Sequence, residues 1–325
     1  MPMPRRGLIA ASLGLAAPAL SSAGAQEAYP SRPVSVVVPW GPGGPTDAFA
    51  RVLSQRLSTD LGQPFPVDNR VGANGTIGMA FAARARPDGY TVVIAPNSTY
   101  AVAPHLYQLP YNNERDFVGI GLLVSMPIFM LVHRNSPATT VAEYVALARR
   151  PNSRLTYANA SVGATSHLAS EMLLQSAGIE VLEVNYRGGG PAVQAVVAGE
   201  AGMVFMPAAA VMGFIRSGEL RALGVASATR SPLAPEVPTF REQGFPDVEI
   251  VEHVAMLAPA GTPQPILERL NAACRAALRA PDMQPRLDAL AVTAETRPLG
   301  EWAAYAAAES AKWGAVVRAR NIRVQ

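Results

Sequence analysis

Residues 34–47 have the sequence VSVVVPWGPGGPTD and decide the fold expected for this chain. The stretch begins with four valines and one serine, which predict a strand, and residues 47–61 have the apolar spacing of a helix. A glycine-rich turn between strand and helix leaves backbone N–H groups without partners at the helix N-terminus. Such groups attract anions, so we expect an anion-binding turn here, with Asp47 either capping the helix or complementing its dipole.

A second turn of the same type occurs at residues 159–165, where the sequence is NASVGAT. Two turns that favour anion binding, one in each half of the chain, predict a cleft that closes on a carboxylate. A third glycine-rich turn, GANGTIG at residues 72–78, also precedes a helix. Its sequence fits two interpretations, a lining of the cleft mouth or a tight entry into the helix.

The N-terminus has the three parts of a secretory signal peptide. Arg5 and Arg6 supply positive charge, residues 8–20 are apolar, and Ala23-Gly24-Ala25 forms an A-x-A cleavage site. We therefore expect cleavage after Ala25 and a periplasmic mature protein. The paired arginines leave Sec and twin-arginine export open as alternatives.

Composition and charge argue against several classes of partner and site. The formal net charge is +3, and it falls close to zero without the two arginines of the signal peptide. No basic cluster with interleaved aromatic residues is present, so we expect no nucleic-acid partner. The turn at Gly43 and Gly44 matches neither dinucleotide nor P-loop motifs, so we expect no nucleotide cofactor. Cys274 is the one cysteine of the chain, which predicts a buried thiol and no internal disulfide.

Short β-branched runs alternate with longer runs of helical period, which predicts an α/β fold with a parallel or mixed sheet. Two apolar, strand-like runs at 124–132 and 248–258 fit a pair of crossover strands that act as a hinge. We therefore predict lobe 1 from residues 26–124 and 251–325 and lobe 2 from residues 125–250, after the signal peptide at 1–25. The expected strands are 34–38, 91–95, 128–132, 155–158, 181–184, 203–206 and 222–225, and the expected helices are 47–61, 77–85, 141–149, 166–177, 192–198, 265–280 and 300–319.

Three polar side chains near the turns have alternative interpretations. Arg187 precedes a run of glycines and either pairs with a ligand carboxylate or faces solvent. His167 and Glu171 have the i, i+4 spacing of a metal pair, but H-E-x-x-H is absent, so a structural histidine is the stronger interpretation and we expect no metal. Ser161 with His167 would supply the nucleophile and base of an exported hydrolase, but G-x-S-x-G is absent.

The motifs of the mature chain together resemble those of the substrate-binding proteins of tripartite tricarboxylate transporters, also called Bug-type receptors. The resemblance covers nearly the whole mature chain, and the combination of motifs is highly specific. Its landmarks are YPSRP at 29–33, VPWGPGGPTD at 38–47, DNR at 68–70, PDGYT at 87–91, LPY at 109–111, YRGGGPA at 186–192, LRAL at 220–223, LAPAGTP at 257–263 and KW at 312–313.

The resemblance implies a two-lobed periplasmic binding fold of type II, the Venus-flytrap arrangement, with a mixed sheet flanked by helices in each lobe and no catalysis. It implies that a ligand carboxylate is held between the first strand–helix loop and the corresponding loop of lobe 2. The implied partners are a small organic acid (a mono- or dicarboxylate, aromatic acids included) and two membrane subunits of a transporter, with the receptor a monomer. The binding residues implied or suggested are Trp40, Gly41, Gly43, Gly44, Thr46, Asn97, Ser98, Ala160, Ser161, Gly163, Thr165, Arg187 and Met206.

Two positions depart from the family pattern. Met206 stands where many relatives have an aspartate that faces the cleft, and Ala164 stands where relatives usually have Ser or Thr. Both changes make the cleft more apolar, and we expect no other acidic residue at an equivalent strand end. We therefore expect a simple or aromatic carboxylate rather than an amino acid, whose ammonium would be buried without a partner. The alternatives to a transport receptor are the exported hydrolase and an orphan ligand sensor without a transporter.

Overall fold

The computed structural model describes residues 29–295, 298–319 and 321–323 of the chain. The predicted signal peptide, residues 1–25, lies outside the described residues. The strands are β1 (Ser35–Val38), β2 (Val67–Asn69), β3 (Thr91–Pro96), β4 (Phe117–His133), β5 (Thr156–Asn159), β6 (Leu182–Asn185), β7 (Met203–Pro207), β8 (Leu220–Val225), β9 (Val251–Pro259) and β10 (Thr293–Ala294). The helices are α1 (Pro45–Leu61), α2 (Thr76–Ala83), α3 (Asn113–Asp116), α4 (Val141–Ala148), α5 (Thr165–Ala177), α6 (Gly189–Val197), α7 (Ala208–Arg216), α8 (Gln264–Arg279), α9 (Gln284–Ala289) and α10 (Trp302–Ala319).

The strands form one continuous sheet in the order β2-β1-β3-β9-β4-β7-β5-β6, with β8 and β10 also paired to β4. β1 is parallel to β2 and β3, and β5 is parallel to β6 and β7. β9 and β4 run antiparallel to their neighbours. The mixed α/β sheet expected from the alternation of strands and helices is therefore confirmed.

The strand β4 joins two halves of this sheet. It has 17 residues, of which 117–127 pair with β9 and 128–133 pair with β7 and β8. We call the half with β1, β2, β3 and β9 lobe 1, and the half with β5, β6, β7 and β8 lobe 2. The molecule thus has the expected two-lobed fold.

The chain returns from lobe 2 to lobe 1 beside β4. The N–H of Ala226 donates to the carbonyl oxygen of Ile128 at 2.8 Å, and the N–H of Ile250 donates to the carbonyl oxygen of Ala226 at 2.7 Å. Because Ala226 bonds to both crossing segments, the two crossings lie close together. They fall within the runs predicted as crossover strands, 124–132 and 248–258.

Apolar side chains cover both faces of the sheet in lobe 1, as parallel strands between helices require. Val36, Val38 and Ile94 share one core with Phe49 and Leu53 of α1. The alternate strand residues share the other core with Trp313 of α10, and they include Val37, Val93 and Ala95. Packing on both faces positions the first turn of α1 at the carboxyl end of β1.

Several elements lie outside the sequence prediction, namely β2, β10, α3, α7 and α9. β2 has three residues and β10 has two, which is too short for a pattern. α7 begins at Ala208 directly after β7 ends at Pro207, without a polar turn to mark the change. No helix in the described part of the chain is long and apolar enough to cross a membrane.

Candidate functional site

Loop 1, residues 39–44, connects β1 to α1 and is closed by hydrogen bonds within the turn. The N–H of Gly43 donates to Oδ2 of Asp47 at 2.9 Å, and the N–H of Gly44 donates to the carbonyl oxygen of Gly41 at 3.3 Å. Gly43 has a φ of 78°, which a side chain disfavours. Gly44 has a φ of −74°, which any residue adopts. The backbone conformation therefore requires a glycine at position 43 but not at position 44.

Asp47 holds loop 1 together from the first turn of α1. It is 1% exposed, and it also accepts hydrogen bonds from Arg51 Nε at 2.9 Å and Asn69 Nδ2 at 2.8 Å. Burial raises the pKa of this carboxyl, but the hydrogen bonds from Arg51, Gly43 and Asn69 together outweigh burial and lower its pKa. Asp47 is therefore ionised, and its negative charge in the first turn complements the dipole of α1, whose N-cap residue is Gly44.

Loop 2, residues 160–164, repeats this arrangement between β5 and α5. The N–H of Gly163, whose φ is 80°, donates to Nδ1 of His167 at 3.1 Å. The N–H of Ala164 donates to the carbonyl oxygen of Ser161 at 3.0 Å. In both loops, a glycine with positive φ donates to the side chain four residues later, and the residue after the glycine caps the helix. Loop 2 is thus the expected second turn, because its backbone N–H groups are bonded in the same pattern as those of loop 1.

Free N–H groups remain in the first turns of α1 and α5. The N–H groups of Gly43, Gly44 and Gly163 are bonded within the loops and shape the turn that precedes each helix. The expected contact of these glycines with a ligand stays a prediction. No hydrogen bond among the described residues engages the N–H groups of Thr46, Asp47, Thr165, Ser166 and His167.

A chain of hydrogen bonds joins loop 1 to the third glycine-rich turn. Nε1 of Trp40 donates to Oγ1 of Thr99 at 2.9 Å, and Oγ1 of Thr99 donates to the carbonyl oxygen of Asn74 at 3.1 Å. Residues 72–75 all have positive φ, a strained conformation that is kept where the surroundings enforce it. A Cβ on Gly163 would lie 3.2 Å from Nδ2 of Asn74. This turn is therefore both a helix entry and a contact with loop 2.

The two lobes contact each other at loop 2. The hydroxyl of Tyr107 donates to the carbonyl oxygen of Val162 at 3.2 Å, and a Cβ on Gly163 would overlap the side chain of Leu106. Oγ1 of Thr165 donates to Oε2 of Glu252 at 2.6 Å. These contacts bring the first turn of α5 against lobe 1.

Three buried polar side chains beside these contacts each have an atom without a hydrogen-bond partner among the described residues. The atoms are Oδ1 of Asn74, Oδ1 of Asn97 and Oγ of Ser98. Buried polar atoms normally have partners, so these atoms are available to a bound solute or to water. Ser98 begins a buried single turn of π-helix, Ser98–Val102, a feature frequent at functional sites.

Glu252 is the polar residue of this region that the sequence analysis missed. It is the second residue of β9 and is 7% exposed. Burial raises the pKa of its carboxyl to about 7, against the opposing effect of the hydrogen bond from Thr165. The sequence analysis considered acidic residues at strand ends equivalent to that of Met206 and therefore missed Glu252, which lies at the amino end of β9. The available signal was the presence of two acidic residues, Glu249 and Glu252, inside the mostly apolar run 248–258.

His167 is a structural residue of loop 2. Its Nδ1 accepts from Gly163, and its Nε2 lies 3.7 Å from Glu183 and 3.9 Å from Glu171. Burial lowers the pKa of His167 more than the two carboxylates raise it. Because both ring nitrogens face other groups, neither is positioned as a base for Ser161. Among the described residues, no group of three or more His, Cys, Asp or Glu side chains could hold a metal ion.

The other expected site residues of lobe 2 lie around loop 2. Arg187 is exposed in the turn after β6, and this turn is fixed beside loop 2 because the N–H of Gly188 donates to the carbonyl oxygen of Ala160 at 3.0 Å. Met206 is 2% exposed and belongs to the core of lobe 2. A Cβ on Gly189 would lie 3.3 Å from Cε of Met206, so the methionine packs beneath the turn that carries Arg187.

Comparison with known sequences gives one consistent result. The sequence profile described as "Tripartite tricarboxylate transporter family receptor" matches residues 49–322. Protein BugT of Bordetella pertussis is 31% identical over 321 residues, which cover 98% of this chain and 97% of BugT.

Solved structures of similar proteins include two with bound carboxylates. MatC of Rhodopseudomonas palustris, solved with bound malate, has a TM-score of 0.83 and 33% identity, and the match covers 89% of this chain and 100% of MatC. Rpa4515 of R. palustris, solved with adipate, has a TM-score of 0.86 and 31% identity, and the match covers 91% of this chain and 99% of Rpa4515.

Proposed function

The chain belongs to the tripartite tricarboxylate transporter receptor family, and from this membership and the two loops we propose that it is an extracytoplasmic receptor for a small organic carboxylate. It captures the solute by closure of its two lobes and delivers it to a membrane transporter of the tripartite tricarboxylate type. Its export depends on the signal peptide at residues 1–25, and the mature receptor acts in the periplasm as a monomer with two membrane subunits.

The observation that carries this proposal is the repeated loop. Each lobe has a turn in which a side chain four residues later accepts the glycine N–H, and each turn leaves free N–H groups in the first turn of a helix. Two helix N-termini of this kind suit the charge and the acceptor oxygens of a carboxylate. The malate and adipate found in two similar structures belong to the same chemical class.

Closure is supported by the way the lobes are joined. The lobes are connected at residues 127–128 of β4, where the pairing partner changes, and by the return through residues 248–250. We propose that the moving units are residues 26–124 with 251–325, and residues 125–250. A ligand that touches both loops makes more contacts in the closed state than in the open state, and this difference drives closure.

The geometry around Ser161 does not favour the hydrolase alternative. Its N–H donates to Oδ1 of Asn159 at 3.1 Å, and the nearest histidine in the sequence, His167, has both ring nitrogens directed elsewhere. A ligand sensor without a transporter would use the same binding site. Loss of uptake of a labelled acid after deletion of the gene would distinguish the transport receptor from the sensor.

The direct test is binding of acids to the purified mature chain. Calorimetry with malate, adipate and aromatic acids should give saturable binding to at least one acid. The methyl ester of that acid should bind far more weakly, because charge-assisted hydrogen bonds contribute about 1.5–3 kcal/mol each. Equal binding of acid and ester, or no binding of any acid, would contradict the proposal.

Two neighbouring variants test whether loop 1 belongs to the site. Gly43→Ala must strain a residue with φ of 78°, whereas Gly44→Ala introduces a side chain at φ of −74°, so the second variant is a matched control. We expect weakened binding for Gly43→Ala and nearly unchanged binding for Gly44→Ala. Unchanged binding in both would remove loop 1 from the site.

A further inference from the structure

Glu252 lies at the edge of the sheet where the binding loops are. β9 runs antiparallel to β3, so its first residues lie beside the carboxyl end of β3. Val254 and Met256 follow Glu252 on the same face of the strand, and both share a core with Phe49 of α1. The carboxyl of Glu252 therefore lies on the α1 side of the sheet, and it reaches the first turn of α5 through Thr165.

No cation contacts this buried carboxyl among the described residues. Within the described part of the chain, its one hydrogen bond comes from the neutral hydroxyl of Thr165, and no ion pair includes it. The charged residue that accepts a hydrogen bond from Asn97 is Glu309, which is also acidic. His253 is the next residue of β9, so it points to the opposite face, where Nδ1 lies 2.8 Å from the hydroxyl of Tyr305. A buried carboxylate without a cation is unfavourable.

Two further acceptor atoms are buried at the carboxyl end of β3. Nδ2 of Asn97 donates to the carbonyl oxygen of Val251 at 3.1 Å and to Glu309 at 3.3 Å. Nδ2 of Asn74 donates to the carbonyl oxygen of Ser98 at 3.1 Å. The groups that accept from the two Nδ2 atoms fix the orientation of both amides. The two Oδ1 atoms are therefore buried acceptors without a hydrogen-bond donor among the described residues. Asn97 is 0% exposed and Asn74 is 3% exposed.

We propose that Glu252 determines the specificity of the receptor by binding the ammonium group of its solute, which makes the solute an amino-carboxylate. The inference rests on the proposed function, because the first turns of α1 and α5 must hold the carboxylate of the same molecule. An ammonium brings a full positive charge and three N–H donors. It therefore complements the carboxylate of Glu252, which no described cation neutralises.

Other acids fit this arrangement less well. A second carboxylate at this position would be repelled by Glu252, and a hydroxyl would donate one hydrogen bond without neutralising the buried charge. The preference inferred from Met206, a simple acid rather than an amino acid, assumed that no other acidic residue was near. Glu252 of β9 reverses that argument, because its carboxylate is an acidic partner for an ammonium group.

The test uses acids that share a carbon skeleton and differ in one substituent. Succinate, malate and aspartate form one such set, and 3-phenylpropionate, 3-phenyllactate and phenylalanine form another. Calorimetry on the mature chain gives the affinity ratio between the amino acid and the unsubstituted acid of each set. We expect the amino member to bind tightest, by about tenfold or more in the set that fits the cleft.

Three variants identify the group responsible. Glu252→Gln keeps the shape and an acceptor for Thr165 but removes the charge, and it should lower the affinity for the amino acid by about 30-fold or more. The same change should leave the unsubstituted acid unaffected or bound more tightly. Glu252→Asp should retain part of the preference. Glu249→Gln removes an acidic charge three residues earlier in the chain that is paired with Arg241, and it should leave the preference unchanged.

The outcomes separate this inference from the proposed function. If acids bind but an unsubstituted or hydroxy acid binds tightest, or if Glu252→Gln leaves the affinity ratio unchanged, the role of Glu252 is refuted and the receptor function stands. If no acid of either set, nor any other carboxylate, binds the chain, both are refuted. The thermal unfolding midpoint of each variant without solute verifies that it is folded.

Discussion

The backbone N–H of Gly163 donates to Nδ1 of His167 at 3.1 Å. In lobe 1 the equivalent bond runs from Gly43 to the carboxylate of Asp47. The two loops therefore have the same backbone scheme but acceptors of different chemistry, an imidazole in one lobe and a carboxylate in the other. Because these groups titrate in different pH ranges, the two loops should respond to acid separately.

Loop 2 should lose its hydrogen bond when His167 is protonated, because Nδ1 then becomes a donor. Burial lowers the pKa of His167 in the folded protein, so the unfolded chain binds this proton at higher pH. The contribution of neutral His167 to stability is therefore complete above about pH 6.5 and is lost as the pH falls towards the folded pKa. The difference in urea unfolding midpoint between the wild type and His167→Asn, measured from about pH 8 to about pH 5, should show this loss, because the opposite effect of Glu252 is common to both proteins.

His167→Asn keeps a side-chain acceptor without the titration and should remove this component of the acid sensitivity. His133→Asn is the matched control, because His133 lies at the end of β4 away from loop 2 and accepts a backbone N–H from Asn135. Wild-type acid sensitivity in His167→Asn would show that the titration of this imidazole does not govern loop 2.

Removal of the Asp47 carboxylate should destabilise loop 1. Asp47→Ala leaves the N–H of Gly43 without its acceptor and removes one of the two acceptors of Asn69 Nδ2, and we expect a loss of about 1–2 kcal/mol in the free energy of unfolding. Affinity for the carboxylate should fall as well, because the first turn of α1 is no longer positioned. Urea denaturation and calorimetry measure the two effects.

Asp60→Ala is the control for this prediction. Asp60 is on the same helix and pairs with Arg56 four residues earlier, at the protein surface, so its loss should change the stability little. Equal effects of the two substitutions would show that Asp47 has no special role in loop 1.

A side chain at Gly163 should prevent full closure of the lobes. Its Cβ would overlap Leu106, and the φ of 80° adds a strain of about 1–2 kcal/mol. We expect Gly163→Ala to bind the solute more weakly and to retain a larger radius of gyration with solute in small-angle X-ray scattering. The double variant Gly163→Ala, Leu106→Ala removes the overlap and should recover part of the closure, whereas no recovery would attribute the effect to the backbone alone.

The buried carboxyl of Glu252 should make the solute-free protein less stable at alkaline pH. Its pKa is raised from about 4.5 to about 7, so the folded state holds a proton that the unfolded chain has released. Stability is therefore lost as the pH rises from about 4.5 to about 7, and Glu252→Gln should gain up to about 3 kcal/mol over the wild type at about pH 8. Urea denaturation at about pH 5 should show little difference between them, and a constant difference across this range would contradict the assignment.

Local patterns predicted much of the fold. The alternation of apolar runs and helical periods placed the principal strands and the two crossover segments near their observed positions, because burial on a sheet face imposes a pattern on each segment. The same reasoning failed at β2, with three residues, and at α7, which follows β7 without a turn. In such places pairing or packing with distant residues decides the conformation, and the segment itself carries no distinct pattern.

The sequence by itself determined that the chain has two strand–turn–helix units with glycine-rich turns, an α/β sheet and the motifs of a receptor family. Only the tertiary structure decided which N–H groups of those turns remain free, because Asp47 and His167 accept the glycine N–H groups only in the folded loops. It also decided that Glu252 meets Thr165, 87 residues away in the chain. The physical reason is that such contacts depend on strand register and on the approach of the two lobes, and neither leaves a periodic signal in the residues concerned.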